Sequence, residues 1–115
     1  MAQLTIQTIA RTGINLTDLA VAADAAGDKW ANSGQEFIAV INSGGSAVTV
    51  TLNFAATLDG QSATNRTVSV PAGKTMFIGP FPQSLYNDSA GNAEIDYSAV
   101  TSVKVSAFKQ GAFAP

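Results

Sequence analysis

Strict alternation of apolar and polar residues is the feature that most constrains this chain. In Val48-Thr49-Val50-Thr51-Leu52-Asn53-Phe54 every second side chain is apolar. An extended backbone puts one such set on a buried face and the other in water. The pattern recurs in Leu4-Thr5-Ile6, Arg66-Thr67-Val68-Ser69-Val70, Glu94-Ile95-Asp96-Tyr97 and Val103-Lys104-Val105-Ser106-Ala107. Glu36-Phe37-Ile38-Ala39-Val40-Ile41 differs, being apolar on both faces. It reads as a central strand covered on both sides, by its own chain or by a partner. Turn residues separate the runs. Asn42-Ser43-Gly44-Gly45-Ser46 predicts a hairpin loop, Pro71-Ala72-Gly73 a proline-initiated turn, and Asn87-Asp88-Ser89-Ala90-Gly91-Asn92 a third loop. Gly79-Pro80-Phe81-Pro82 ends a strand, because proline cannot donate to a ladder. Seven or eight short strands at this spacing predict an all-β fold, an antiparallel β-sandwich or jelly roll.

At 115 residues the chain is one domain. Its core has to be β-branched. Alanine supplies 20 of the apolar residues, and Val and Ile number 9 and 7 against 6 Leu. Phe37, Val40, Val50, Leu52, Val68, Val70, Ile95, Val103 and Val105 are the expected core. One stretch fits the strand grammar poorly. Residues 17–26 are alanine-rich, with room for at most one short helix from a Thr or Asp cap. A long loop carrying a short helix or an irregular edge strand fits them equally.

Several chemistries are excluded by what is missing. With no His and no Cys, the common zinc sites, thiol nucleophiles and imidazole acid–base pairs are absent. No catalytic, cofactor-binding or metal-ligating residue is expected. Asn87, Asp88, Asn92, Glu94 and Asp96 are the best acidic cluster, but they lack calcium-loop spacing and read as turn chemistry. A net charge of -2 with six scattered basic residues gives no footprint for nucleic acid. No apolar run is long enough for a membrane span, and the first residues lack the form of a signal peptide.

What remains points to contact surfaces. Only 12% of residues are charged, and the polar faces of the strands carry Thr, Ser, Asn and Gln. Such a surface packs against copies of itself at small desolvation cost, which favours a subunit of an assembly. Trp30, in the polar stretch Gly27-Asp28-Lys29-Trp30-Ala31-Asn32, reads as a loop anchor plugging one end of the sandwich, or as a contact residue at an interface or on a sugar. Phe77, Phe81 and Tyr86 are expected to close the other end. Phe113 sits past the last strand, in Gln110-Gly111-Ala112-Phe113-Ala114-Pro115. Terminal residues stay loose unless tied down. At least one of the two ends, an amino-terminal arm (about residues 1–13) or a carboxyl-terminal tail (about 110–115), is therefore expected to dock on a neighbouring subunit or another surface. The routes are β-addition at Leu4–Ile6, or Phe113 entering an apolar pocket. The interface candidates are Leu4, Ile6, Trp30 and Phe113.

Four elements are distinctive together: Phe37 through Thr51, Val68-Ser69-Val70-Pro71-Ala72-Gly73-Lys74, Ile78-Gly79-Pro80-Phe81-Pro82, and Tyr86-Asn87-Asp88. Followed by Tyr97 and the strand Val100–Lys109, they resemble the small β-sandwich decoration (cement) proteins of tailed-bacteriophage capsids. The resemblance covers roughly residues 35–109. It implies a non-enzymatic virion protein, made in the host cytoplasm and attached to the outside of the head. Its partners would be the major capsid protein and copies of itself, as a homotrimer, clamping neighbouring capsid subunits together. Two other functions are compatible with the residues. One is a carbohydrate-binding or adhesin-like module stacking sugars on Trp30 and Tyr86; the other is a tail or neck component.

Overall fold

The computed structural model describes residues 2–54 and 65–110, with the backbone alone of Thr57–Leu58 and Gln61–Ser62. In chain order its strands are β1 (Ala2–Gln3), β2 (Ile6–Ile9), β3 (Val21–Ala22), β4 (Asp28–Ala31), β5 (Glu36–Asn42) and β6 (Val48–Leu52). They continue with β7 (Thr57–Leu58), β8 (Gln61–Ser62), β9 (Arg66–Val70), β10 (Thr75–Ile78), β11 (Asn92–Tyr97) and β12 (Val103–Gln110). Two single helical turns, α1 (Leu16–Leu19) and α2 (Gln83–Tyr86), interrupt them. The fold is all-β and two-sheeted. One sheet runs β1-β4-β11-β6-β9, the other runs β10-β5-β12-β2 with β3 also on β12, and β7 and β8 pair separately.

Three expectations need correction. The two sheets hold ten strands between them, more than the seven or eight expected, because two-residue pieces such as β1 and β3 are too short to display a period. The sheets are mixed: β1 lies parallel to β4, and β2 parallel to β12. A second helical turn, α2, was not foreseen. In the alanine-rich region, α1 is capped by Asn15, whose side chain accepts from the Asp18 amide at 3.3 Å. Its capping role is the ordinary one for Asn.

The amino-terminal segment is tied to its own chain. Gln3 pairs with Lys29 in the first sheet, and Ile6 pairs with Ala107 in the second. Leu4 lies at the crossing. Its amide donates to the Lys29 carbonyl at 2.7 Å, and its side chain is buried in the core. Leu4–Ile6 is therefore not one continuous strand: between Gln3 and Ile6 the chain passes from the edge of the first sheet to the edge of the second.

The core is the layer between the sheets. Ile38, Val40, Val103 and Val105 project from the second sheet, and Trp30, Val50, Leu52, Val70 and Ile95 from the first, all essentially inaccessible to solvent. Of the expected core, Val68 is only half-buried, and Phe37 lies outside the layer altogether. Trp30, expected in a loop, is on β4 opposite Ala93. Its ring is 5.4 Å from that of Phe81, which is 5.3 Å from Tyr86. These rings close one end of the sandwich from inside.

A buried polar pair joins the same layer. Asp28 is fully buried on β4, and Tyr97 donates its hydroxyl to Asp28 Oδ2 at 2.6 Å. Burial, with the Asp28 hydrogen bond behind it, pushes the Tyr97 hydroxyl far above the usual tyrosine range. Among the described residues Asp28 Oδ1 and the Trp30 indole N–H have no hydrogen-bond partner, so losing the Tyr97 donor would leave the buried carboxylate still less satisfied.

Leu52→Ala should cost about 2–5 kcal/mol in denaturant unfolding, by lost transfer energy and a residual cavity. Tyr97→Phe should cost about 1–3 kcal/mol, because it strips a donor from a buried carboxylate. A raised tyrosine pKa favours the fold below the unfolded value near 10, and that contribution is lost on going more alkaline. The Phe variant should therefore show a shallower loss of stability above about pH 10.

Candidate interaction surface

A two-sheet sandwich needs one apolar face per sheet. The first sheet obeys this rule. Between its inward residues stand Lys29, Thr49, Thr51, Thr67, Ser69, Glu94 and Asp96, an outer face of hydroxyls and charges. The second sheet does not. On β5 the residues alternating with core Ile38 and Val40 are Phe37, Ala39 and Ile41. Register sets Phe108 of β12 beside Phe37, and Phe77 of β10 beside Ala39. The outer face is thus apolar across three strands around Phe37, Phe77 and Phe108, while Thr75, Lys104 and Ser106 share that face further along.

The chain covers part of that face itself. Ile14 and Leu16 border a cleft of about 260 Å³ floored by Phe37 and Phe108, and Leu19 of α1 lies over the Gln7–Ser106 region. Phe108 and Ser106 are accordingly buried. Phe77 is not covered: 63% of it is exposed, the highest value among the exposed large apolar side chains. Its ring lies 6.1 Å from Phe37, which stacks on Phe108 at 5.7 Å. A second depression of about 300 Å³ adjoins across Phe37 and Phe77, rimmed by Gln35, Gly79, Pro80 and Gln110. Among the described residues, neither depression is lined by an ionisable side chain.

Two local devices hold this surface in shape. Ser33 donates from its amide (2.6 Å) and hydroxyl (2.9 Å) to Glu36 Oε1, and the hydroxyl lies 2.7 Å from Oε2. This pins the start of β5, where Gln35 and Phe37 face the cleft. Burial works to raise the Glu36 pKa, but the Ser33 hydrogen bonds outweigh it and hold the carboxyl below its ordinary range. Gly79 crosses directly over Phe37. A Cβ there would sit 2.8 Å from Phe37 Cβ, and its φ of +138° strains any other residue. Behind it, the Asn32 amide donates to the Phe81 carbonyl (2.9 Å) and to Asn87 Oδ1 (2.7 Å), fastening the 79–87 loop to β4.

The interface candidates divide sharply. Trp30 and Leu4 are spent on the chain's own core, and Ile6 is half-buried against it, so none of the three offers a free apolar surface. Phe113 lies outside the described residues. Tyr86, the other sugar-stacking candidate, is buried under Phe54 and Phe81. The Asn87–Asn92 cluster is turn chemistry: Asp88 Oδ1 accepts from the Ala90 and Asn92 amides at 2.9 and 3.0 Å. Sequence reasoning assigned Phe77 to closing the sandwich end, yet it is the most exposed ring of the outer face. The signal lay in the doubly apolar β5, whose second face needs neighbours of its own kind. No protein-family model, curated protein or solved structure matches this chain.

Phe77→Ser should leave the melting temperature nearly unchanged and reduce binding of a hydrophobic dye, whereas Ile38→Ala on the opposite face of the sheet should cost 2–5 kcal/mol, roughly. Ser33→Ala should remove about 1–3 kcal/mol. A depressed carboxylate pKa favours the fold above the unfolded value and is lost as pH falls through the folded one. The Ser33→Ala penalty should therefore shrink in acid, read as converging urea midpoints below about pH 4.

Proposed function

We propose that this chain is a structural, non-enzymatic virion protein that decorates the outside of a tailed-phage head and docks through the outer face of its second sheet. The observation behind this reading is the asymmetry of the sandwich. One outer face is polar and hydroxyl-rich, while the other presents Phe77 above an uncharged aromatic cleft. Exposed apolar surface rimmed by neutral groups is the usual mark of a protein contact. Its partners are the major capsid protein and further copies of the chain, as a homotrimer.

The strand order supports a jelly roll as the finer description. Number the eight strands β3, β4, β5, β6, β9, β10, β11 and β12 from one to eight. One sheet then reads 6-3-8-1 and the other 2-7-4-5, with every one of these neighbours antiparallel. Pairs 1–8, 2–7, 3–6 and 4–5 are those of one long antiparallel hairpin rolled over on itself. The parallel strands β1 and β2 are then additions at the amino-terminal edge.

The deciding experiment mixes purified chain with phage heads lacking it, measures co-sedimentation, and locates the copies by cryo-electron microscopy. Copies on the outer lattice are expected, with head stability rising with protein concentration as mass action requires. Burying Phe77 contributes about 1–2 kcal/mol per copy, so Phe77→Ser should weaken attachment roughly tenfold. Glycan binding without affinity for heads, or copies confined to tail or neck, would overturn the proposal.

A further inference from the structure

The sandwich has an open side. β9 ends the first sheet and β10 ends the second, each with one paired neighbour among the described residues. The Pro71–Gly73 turn leads from one to the other, so the two edges flank the same side of the core. Between them runs a groove of about 490 Å³, floored by half-buried Val68, Met76 and Leu85. Pro80, Arg66 and Tyr86 line its end away from the turn.

The hydrogen-bond pattern fixes which backbone groups face outward. The Asn42 amide donates to the Lys74 carbonyl at 2.9 Å, and the next amide, Ser43, donates to Ser102 on the other side of β5. Bonded and non-bonded pairs alternate along an antiparallel ladder. Met76 and Ile78 therefore bond to β5, while Thr75 and Phe77 turn their N–H and C=O groups to the open edge. No charge on Thr75-Met76-Phe77-Ile78 discourages a pairing strand.

A row of unpaired N–H and C=O groups selects an extended backbone. A strand laid on β10 sends alternate side chains into the groove, against Val68 and Met76, and the others outward beside Thr75 and Phe77. Charge narrows the occupant further. Residues 66–87 carry Arg66 and Lys74 and no Asp or Glu, in a chain of net charge -2. Arg66 Nε donates to the hydroxyl of Tyr86 at 3.2 Å, and Tyr86 is itself fixed between Phe54 and Phe81. The terminal amino groups of Arg66 have no protein partner among the described residues, and such a held fork is suited to a carboxylate. We propose that β10 accepts, by strand addition, an extended segment of a partner protein whose groove-facing side chains are apolar and end in a carboxylate gripped by Arg66.

The test is a titration of the ¹⁵N-labelled chain with the peptide acetyl-Glu-Thr-Val-Thr-Val-amide, followed by NMR. Laid antiparallel on β10, this peptide puts both Val in the groove and its Glu at the Arg66 end. Saturable shifts are expected at the Thr75 and Phe77 amides and at Arg66 Nε. Arg66→Gln, or Gln in place of the peptide's Glu, should each weaken binding about fivefold; the second leaves the protein untouched. N-methylating the two Thr of the peptide should abolish binding, because those amides face β10, whereas N-methylating the two Val should be tolerated. Equal effects of the two methylations would overturn strand addition, and no loss with the Gln peptide would overturn the Arg66 contact. Oligomers of the chain that dissociate as peptide binds would put a second copy on the edge and overturn the proposal. The groove adjoins the proposed docking face at Phe77, yet no head takes part in this titration, so failure to attach to heads leaves its outcome intact.

Discussion

The architecture depends on β5 being apolar on both faces while hydrogen-bonded on both edges. Seven of its residues pair with β12 and four with β10, so its backbone polar groups are satisfied by neighbours in the same sheet. That leaves its side chains to decide what lies above and below. Ile38 and Val40 meet Val50, Leu52 and Ile95 across the sandwich, and the core follows. Phe37, Ala39 and Ile41 face the other way and have no second sheet to meet. Everything distinctive about the surface follows from that mismatch: the segment carrying Ile14, Leu16 and Leu19 drawn across the face, the exposed Phe77, and the two depressions around Phe37.

The sequence made the strongest strands legible, because an alternating strand with one wet face records its own orientation. β6, β9, β11 and β12 coincide with the alternating runs, and Val50, Leu52, Val70, Ile95, Val103 and Val105 are buried where alternation puts them. Turn chemistry was legible as turns but silent about sheets. Asn42–Ser46 reads as a hairpin loop and Pro71–Gly73 as a proline-initiated turn, yet β5 and β6 lie in different sheets, as do β9 and β10. Both turns carry the chain from one layer to the other. Asn42 anchors this corner: its buried amide donates to the Ser46 carbonyl at 2.8 Å and to the Val70 carbonyl at 3.1 Å. Nothing within five residues of sequence distinguishes a turn that pairs its flanking strands from one that separates them.

β4 was illegible for a different reason. Asp28, Trp30 and Asn32 are all buried, but two of the three are polar, so the alternation reads as loop. Each is buried with partners: Asp28 with Tyr97, and Asn32 with Phe81 and Asn87. Those partners are 49 to 69 residues away in sequence. A polar residue is buried only where its hydrogen bonds are supplied, and that supply is a tertiary fact. The candidate site was half legible on the same terms. Phe37 announced a second apolar face, but the cross-strand neighbours that make it a surface, Phe77 and Phe108, could not be joined to it without the register.

The contrast between the two outer faces carries the physical argument furthest. A chain with 12% charged residues and net charge -2 has little electrostatic repulsion to keep apolar surfaces apart. On such a chain an uncovered aromatic face is an aggregation hazard unless its occupant is specified. The hazard is confined here. Lys29, Glu94 and Asp96 lie on the far sheet, and Asp96 also accepts from Asn53 at 3.1 Å. A docked molecule would then keep its charged, hydroxyl-rich face toward solvent and its aromatic face toward the partner. If the proposed docking holds, that polarity favours one orientation on the partner's surface. A symmetric sandwich, wet on both sides, would have no preferred side to bind with.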